Sequence, residues 1–371
     1  MNSYMLVVSC LFLWIACKKS TNDGTTGPQT ATRDSLFTEH FRRTKGWIAG
    51  DDGYSIRLTD GRTLWLWGDS YIDNYDAATR TIPCLFQVNN AGLLQNATNP
   101  ADMATLLGAG KPASYFLHPG GWPTYWFWPG SGYQQGNTVY CFLDNIKTTG
   151  ANGSFGFTSG GPNYVATIQF PAMTVQGYKQ LPAQNGINFG AGFVPHPDGF
   201  MYVYGYKGDG FVGSKMYVAR IKPDDPITSW QYYDGANWIT DPTKAAPIAS
   251  DGTSSFASGF KVGNKFALLS SEFSLGCTGK EIYAFTADQP QGPYSSRKLI
   301  YTIPEKAGDK YPFFYFAIGH PEFIDNQGLL VTYSVNGFLQ CGPEVCINNR
   351  RDPDTYRPKA FRVPLSVLGA Q

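Results

Sequence analysis

A strand, a tight turn and a second strand recur five times along this chain, and that recurrence restricts the fold more than any other feature. The turns fall near residues 60, 134, 198, 264 and 326, a spacing of roughly 65 residues. Each has the chemistry of a short hairpin loop: Asp60-Gly61, Gly132 to Gly136, Pro197-Asp198-Gly199, Gly263-Asn264 and Asp325 to Gly328. Glycine there accepts the positive φ that such loops require. The flanking runs are aromatic and β-branched, as in Thr124 to Trp128 and Phe200 to Tyr206. Composition agrees, with 42 glycines, 25 prolines and 15% aromatic residues in 371, a profile of many turns and many strand-filling side chains. Outer strands are expected at Cys84 to Asn90, Gly92 to Gln95, Lys215 to Ile221, Glu281 to Thr286 and Tyr356 to Leu365, with a short helix or an irregular entry at Ser35 to Lys45 and a helical turn in Pro100 to Leu107. Five such units make an all-β protein, a five-bladed β-propeller over residues 35–371. A two-sheet sandwich is the alternative, and it does not explain five regular recurrences.

The first hairpin, Gly46 to Tyr71, places acids where a sheet gains nothing from them. Asp51 and Asp69 stand nine residues from Asp60 on either side, so a loop of Thr59-Asp60-Gly61 sets them directly across the ladder. A loop of Asp60-Gly61 alone makes Asp52 the partner of Asp69. Either register leaves two carboxylates at one open end with Cβ atoms roughly 4.5–5.5 Å apart. Like charges so placed destabilise a sheet. Glycoside hydrolysis needs two carboxylates, about 5–5.5 Å apart for a retaining displacement and about 6.5–9.5 Å for inverting attack by water. The bland alternative is one turn-capping and one solvated Asp. Trp47, Trp65 and Trp67 weigh against it, because indole faces stack on sugars and shield a cleft.

The stretch GWIAGDDGYSIRLTDGRTLWLWGDS resembles the opening blade of a family of bacterial five-bladed β-propellers related to endo-D-arabinanases, long known only as domains of unknown function. Gly46-Trp47, Gly50-Asp51, Tyr54-Ser55, Asp60-Gly61 and Gly68-Asp69 stand at the positions of that pattern, and a weaker likeness extends from about Gly46 to Leu368. The resemblance favours Asp51 as the partner of Asp69 and implies hydrolysis of a D-arabinan-like furanoside polymer. His320-Pro321-Glu322 and Tyr333 to Asn336 resemble elements of the family's last blade, and Arg357 matches its last strand. They imply that His320, Asn336 and Arg357 contact sugar or orient the site. For Glu322 a buried acid satisfied by backbone donors competes with that reading, and Arg357 could equally be a structural pair.

In a propeller the first strand of each blade starts on one face and the second returns to it. Asp51, Asp69, Asp144, Tyr206, Glu272 and Asn336 occupy such positions and are expected at one mouth. Trp47, Asp52 and Tyr54 flank the acid pair as substrate contacts. Glu272 takes in blade four the place of Asp69 in blade one, either tuning an acid or holding a sugar hydroxyl, or else as an exposed loop acid. Trp126 and Trp128 share one side of a strand, as a stacking platform or as inter-blade core.

A net charge of +1 with no basic run excludes a nucleic-acid partner. Tyr4 to Ala16 is apolar but shorter than the roughly 20 residues of a membrane span, and reads as an export signal. Ile15-Ala16-Cys17 resembles a bacterial lipobox, which implies a lipidated Cys17 and membrane attachment facing the periplasm or cell surface; an ordinary cleaved signal is the alternative. The polar stretch 18–34 is a tether. Export makes Cys341–Cys346 a candidate loop disulfide, with Cys84, Cys141 and Cys277 left unpaired by sequence. No CxxC or HExxH occurs and the four histidines are scattered, so neither a zinc site nor a cofactor is expected. Three functions compete for a monomer of this kind: a lipid-anchored glycoside hydrolase acting on a polysaccharide, a surface glycan-binding lipoprotein without turnover, and an interaction propeller. The facing acids favour the first.

Overall fold

Strand-forming runs on either side of each turn pair as antiparallel hairpins in a computed structural model of the chain. It describes residues 30–150, 156–209, 213–249, 251–253, 256–272, 276–338, 341–343 and 345–371. Blade one comprises Trp47–Arg57, Thr63–Ile72, Ala91–Gln95 and Met103–Leu106. Blade two has Tyr125–Gln135, Thr138–Thr148, Tyr164–Gln169 and Thr174–Gln180, with Phe157–Ser159 added beside its second strand. Blade three runs from Asn188–Pro195 and Met201–Asp209 out to Trp238–Ile239. Blade four spans Ser258–Val262 to Lys298–Thr302. Blade five orders Phe314–Asp325, Gly328–Val335 and Lys359–Val363, and then takes its outermost strand, Thr32–Arg33, from the N-terminal side.

The five first strands touch one another in a closed ring, each against its two neighbours. Apolar side chains fill the five seams between blades. Tyr54, Ile56 and Leu66 meet Phe127 and Val139 between blades one and two. Phe142 and Phe189, Tyr204 and Phe285, and Phe260 and Val331 mark the next three seams. Trp65 and Trp67 meet Leu330 and Ala360 across the seam that closes the ring. The alternation of inward and outward residues along each strand supplies these faces. The fold is the five-bladed propeller read from the turns.

Several local expectations are corrected. Pro100 to Leu107 holds the strand Met103–Leu106 instead of a helical turn, because Gly92 to Gln95 offers it a free edge to pair with. Cys84 to Asn90 is a loop with one bridge, Ser70 to Val88. The tether read as 18–34 ends earlier, since Thr32–Arg33 pair with Phe361 and Arg362. Cys17 and the segment around it lie outside the described residues.

The Cys341–Cys346 disulfide does not form. Cys346 joins Cys84 and Cys341 joins Cys277, with Cα atoms 5.5 and 5.9 Å apart. The loop between Cys341 and Cys346 lies between loops of blades one and four, so each cysteine finds a partner across a blade boundary before its neighbour in sequence. Cys141 is a buried free thiol. Replacing Cys84 and Cys346 together by Ser opens a covalent link across 262 residues. It should lower unfolding free energy by about 2–5 kcal/mol, seen as an earlier denaturation midpoint; an unchanged midpoint would show that the seam is held without the bridge.

Candidate active site

The hairpin of blade one takes the three-residue-loop register: Arg57 pairs with Thr63 and Tyr54 with Leu66. Leu58 N–H reaches Arg62 O at 2.9 Å across Thr59-Asp60-Gly61. Two irregularities then flank Asp52 before the ladder resumes at Gly50 and Ser70. Asp52 has φ 65° and Gly53 φ 97°, a left-handed pair of the kind that bends a strand at a bulge. Asp51 and Asp69 therefore share a level but are not simple cross-strand partners. The bulge also turns Asp52, 3% exposed, into the interior, while Asp51 and Asp69 keep an accessible edge.

Gly68 explains how the acids fit. A Cβ there would lie 2.5 Å from Asp51 Oδ1 and 2.5 Å from Asp52 Oδ2, so those two carboxylates converge on a spot only glycine leaves empty. Asp51 Oδ2 accepts the hydroxyls of Tyr315 and Tyr356 at 2.7 and 2.8 Å. Asp69 Oδ1 accepts Trp128 Nε1 at 3.0 Å and Asn89 Nδ2 at 3.1 Å. Burial raises all three pKa values. The phenols and the amides of Asp51 and Asp69 hold Asp51 to about 6. Asp52 rises well above the ordinary carboxylate value through burial and its neighbours Asp51, Asp144 and Asp69. Asp69 also rises well above it, by burial and the Asp51 charge, against the pull of its two donors. The arrangement thus sets one acid to ionise first beside another that keeps its proton, the division of roles acid–base chemistry requires.

A cleft of about 560 Å³ opens beside this cluster over blades two and three. A smaller recess lined by Asp52 and Tyr54 adjoins it, and Trp128, Asp144, Asn188, Tyr206 and Phe256 line both. Asp144 accepts Asn163 Nδ2 at 3.2 Å and Asn188 Nδ2 at 2.5 Å, and burial raises it to about 7 against those bonds. Asn188 Nδ2 also donates to Tyr206 Oη at 3.0 Å. Asp52, Tyr54, Asp144 and Tyr206 thus line the two recesses; Asp69 and Asp51 line neither but stand next to them, Asp69 bonded to Trp128 and Asp51 converging with Asp52 on Gly68. No group of three or more His, Cys, Asp or Glu side chains among the described residues is arranged to hold a metal ion.

Other expected site residues stand elsewhere. Trp47, Trp65 and Trp67 are 0% exposed in the closing seam, so none can face a sugar. Their strand positions point between blades, and core packing wins over stacking. Arg357 is buried and clamps the carbonyls of Ile48 and Arg43 and the Asp354 carboxylate, which makes it a structural pair. Glu272 accepts the N–H groups of Lys280 and Glu281 at 2.8 and 3.1 Å, closing the end of its own blade, and lines neither recess. His320, 0% exposed, lies against Trp65 and bonds Ser55 Oγ and Thr332 Oγ1 at 2.5 and 2.8 Å. Burial and Arg362 bring its pKa to about 3. Glu322 takes the same Ser55 hydroxyl. Asn336 donates its backbone N–H to Phe313 O and lines neither recess. Sequence reasoning missed Tyr315, Tyr356, Asn89, Asn163 and Asn188. Tyr356, the first residue of the expected last strand, carried a positional signal.

The family model described as a domain of unknown function, DUF5005, matches residues 34–365. Among curated proteins none matches the sequence. A crystal structure of a candidate hydrolase from Bacteroides ovatus ATCC 8483 superposes with TM-score 0.70 at 19% identity, covering 91% of this chain and 92% of that one. At that identity the likeness shows a shared fold. An α-L-arabinofuranosidase from Clostridium thermocellum ATCC 27405 aligns at TM-score 0.46 and 14% identity, over 77% and 82% of the two chains. The catalytic domain of a Coprinopsis cinerea GH62 α-L-arabinofuranosidase aligns at 0.45 and 10%, over 90% and 94%.

The raised carboxylates make stability fall with pH. The folded state holds protons that the unfolded chain releases near 3.8, so their contribution is complete below 3.8 and lost as pH rises through about 6 for Asp51 and about 7 for Asp144. Asp52→Asn removes one such group. Its melting temperature should exceed wild type by a few degrees at pH 8 and by less at pH 5; an equal or opposite difference would mean Asp52 is not electrostatically costly.

Proposed function

The chain belongs to the DUF5005 family, and on that premise we propose that it is a glycoside hydrolase cleaving furanosidic linkages of a D-arabinan-like polysaccharide. The observation that carries this reading is the unequal treatment of two neighbouring accessible acids. Asp51 receives two phenolic hydroxyls on one oxygen, which favours its ionised form. Asp69 has both donors on Oδ1, which leaves Oδ2 to carry a proton toward a leaving glycosidic oxygen. In this reading Asp69 is the general acid, and Asp51 supplies the negative charge facing the anomeric carbon as positive charge develops there. Burial and the Asp51 charge keep Asp69 protonated, and Asp52, buried behind them, is raised in turn by both neighbours. Trp128 fixes Asp69 from the cleft side. The furanoside polymer comes from the likeness of the first hairpin to arabinanase-related propellers, and the candidate hydrolase of Bacteroides ovatus supports the reaction class. A glycan-binding protein without turnover is the second reading, favoured by the cleft but not by the cost of the acid pair.

Asp51→Asn and Asp69→Asn should each lower kcat/KM on an arabinan, assayed beside galactans and fructans, by at least ~10²–10⁴-fold. Wild-type kcat/KM should decline as pH falls through about 6, where Asp51 takes up its proton. Near-wild-type turnover in both variants would remove these residues from the mechanism, and saturable binding without product would favour the second reading.

We further propose that the protein is exported and acts as a monomer anchored by lipid on Cys17. Two disulfides among the described cysteines support an oxidising compartment. Cys17→Ala should move the protein from the membrane to the soluble fraction; retention on the membrane would refute the anchor.

A further inference from the structure

We propose that the cleft over blades two and three is a subsite for an uncharged sugar ring, seated against Trp128 and read by Asp144, Asn163 and Asn188, and that it rejects glycans bearing carboxylate or phosphate groups. The inference rests on the reading of this mouth as a glycan site, and adds which glycans it accepts.

Trp128 links the subsite to the reacting bond. Its Nε1 is committed to Asp69 Oδ1 at 3.0 Å, and Phe157 packs edge-on against it at 4.7 Å. The indole is therefore held in one orientation, with part of its surface in the cleft. A ring stacked there lies beside Asp69, next to the acid that would protonate the reacting bond.

The polar side of the cleft is an acceptor held in place by amides. Asn163 and Asn188 each give an N–H to a different Asp144 oxygen, and Asn163 also donates to Asn188 Oδ1. A carboxylate has about four acceptor sites, so Asp144 keeps capacity for hydroxyl protons from a ligand. Sugar hydroxyls supply such protons. Ionised carboxylate and phosphate groups do not, and above about pH 7, where Asp144 and Asp51 are ionised, they would meet like charge.

Nothing among the described lining residues offsets that field. The described lining of the cleft and the adjoining recess is aromatic, aliphatic, amide, hydroxyl and small residues with the carboxylates of Asp144 and Asp52, and no Lys or Arg. Lys207 stands at the rim, where its Nζ is committed to Asn185 O at 2.6 Å. Like-charge juxtaposition in a partly buried site costs far more than at an exposed surface. The cleft is built to admit neutral rings and to turn anionic ones away.

Binding separates this inference from the hydrolase reading, because it can be measured without turnover. The probes are neutral arabinan, galactan and fructan, and the carboxymethylated form of whichever binds, titrated calorimetrically into wild type and Asp51→Asn at fixed ionic strength. A neutral polymer should bind and its carboxymethylated form should bind at least ~10-fold more weakly. Asn163→Ala should weaken neutral binding, and Asp144→Asn should narrow the gap between the two forms. A circular-dichroism melt matching wild type shows each variant is folded; where Asn163→Ala is not, Asn163→Asp serves in its place and should widen the gap. Equal affinity for both forms, no binding to any neutral probe, or neutral binding unchanged in the folded Asn163 and Asp144 variants would overturn the subsite. Neutral binding without cleavage would sink the hydrolase reading and leave the subsite standing, whereas cleavage of the anionic form would do the reverse.

Discussion

The ring closes at one seam, between blade five and blade one, and the mouth of the propeller exists only because it does. Asp34 ties two elements there by three bonds. Its Oδ1 caps the helix Ser35–His40 through Phe37 N–H at 2.7 Å, its Oδ2 accepts Arg362 Nε at 2.8 Å, and its own N–H reaches Ala360 O at 2.9 Å. Beneath it lie Trp47, Trp65 and Trp67 with Phe37 and Phe41. A buried indole removes roughly 150–250 Å² from water, at about 25 cal/mol per Å². The Arg362–Asp34 pair is itself buried, where desolvation offsets much of what an ion pair gains, so packing closes the ring and Asp34 fixes its register.

The site draws on that closure directly. The two hydroxyls that set Asp51 come from Tyr315 and Tyr356, 264 and 305 residues away in sequence. The donors on Asp69 come from blade one and blade two. Without the seam Asp51 would lose both phenols and keep only backbone N–H bonds to oppose the effect of burial. The difference between an acid held to about 6 and one raised well beyond it is thus a property of the closed ring, not of the hairpin that carries them.

This explains what was legible in the sequence. Turn chemistry is local, so five Gly-bearing turns revealed five blades, and the positions of Asp51, Asp69, Asp144 and Tyr206 on their strands revealed the shared mouth. Which face an aromatic takes is decided by the neighbouring blade. Trp47 and Trp128 look alike in sequence, yet one fills a seam and the other lines a cleft. Arg357 and Glu272 failed as site residues for a related reason: unsatisfied carbonyls and amides at strand ends claimed them first. The bulge at Asp52 was hidden because an Asp-Asp-Gly run reads as plain strand until the ladder is seen to break. Cys84 and Cys346 could not be paired from spacing, since their approach depends on the ring.

The electrostatics argue against a purely structural role for the acids. Charges in a folded interior are ordinarily paired, and this chain does so elsewhere, joining Arg362 to Asp34 and Arg357 to Asp354. Among the described residues no ion pair involves Asp51, Asp52, Asp69 or Asp144. A cation comes near, with the Arg351 guanidinium 5.2 Å from the centre of the Tyr356 ring. Arg351, 8% exposed, spends its guanidinium on Thr355 and on the hydroxyl of Tyr71, whose ring meets Tyr356 at 5.3 Å. Tyr356 in turn donates to Asp51. The phenols of Tyr315 and Tyr356 lower the pKa of Asp51 without neutralising the group. The acids thus keep protons they can exchange, and that is the property a site of this kind needs.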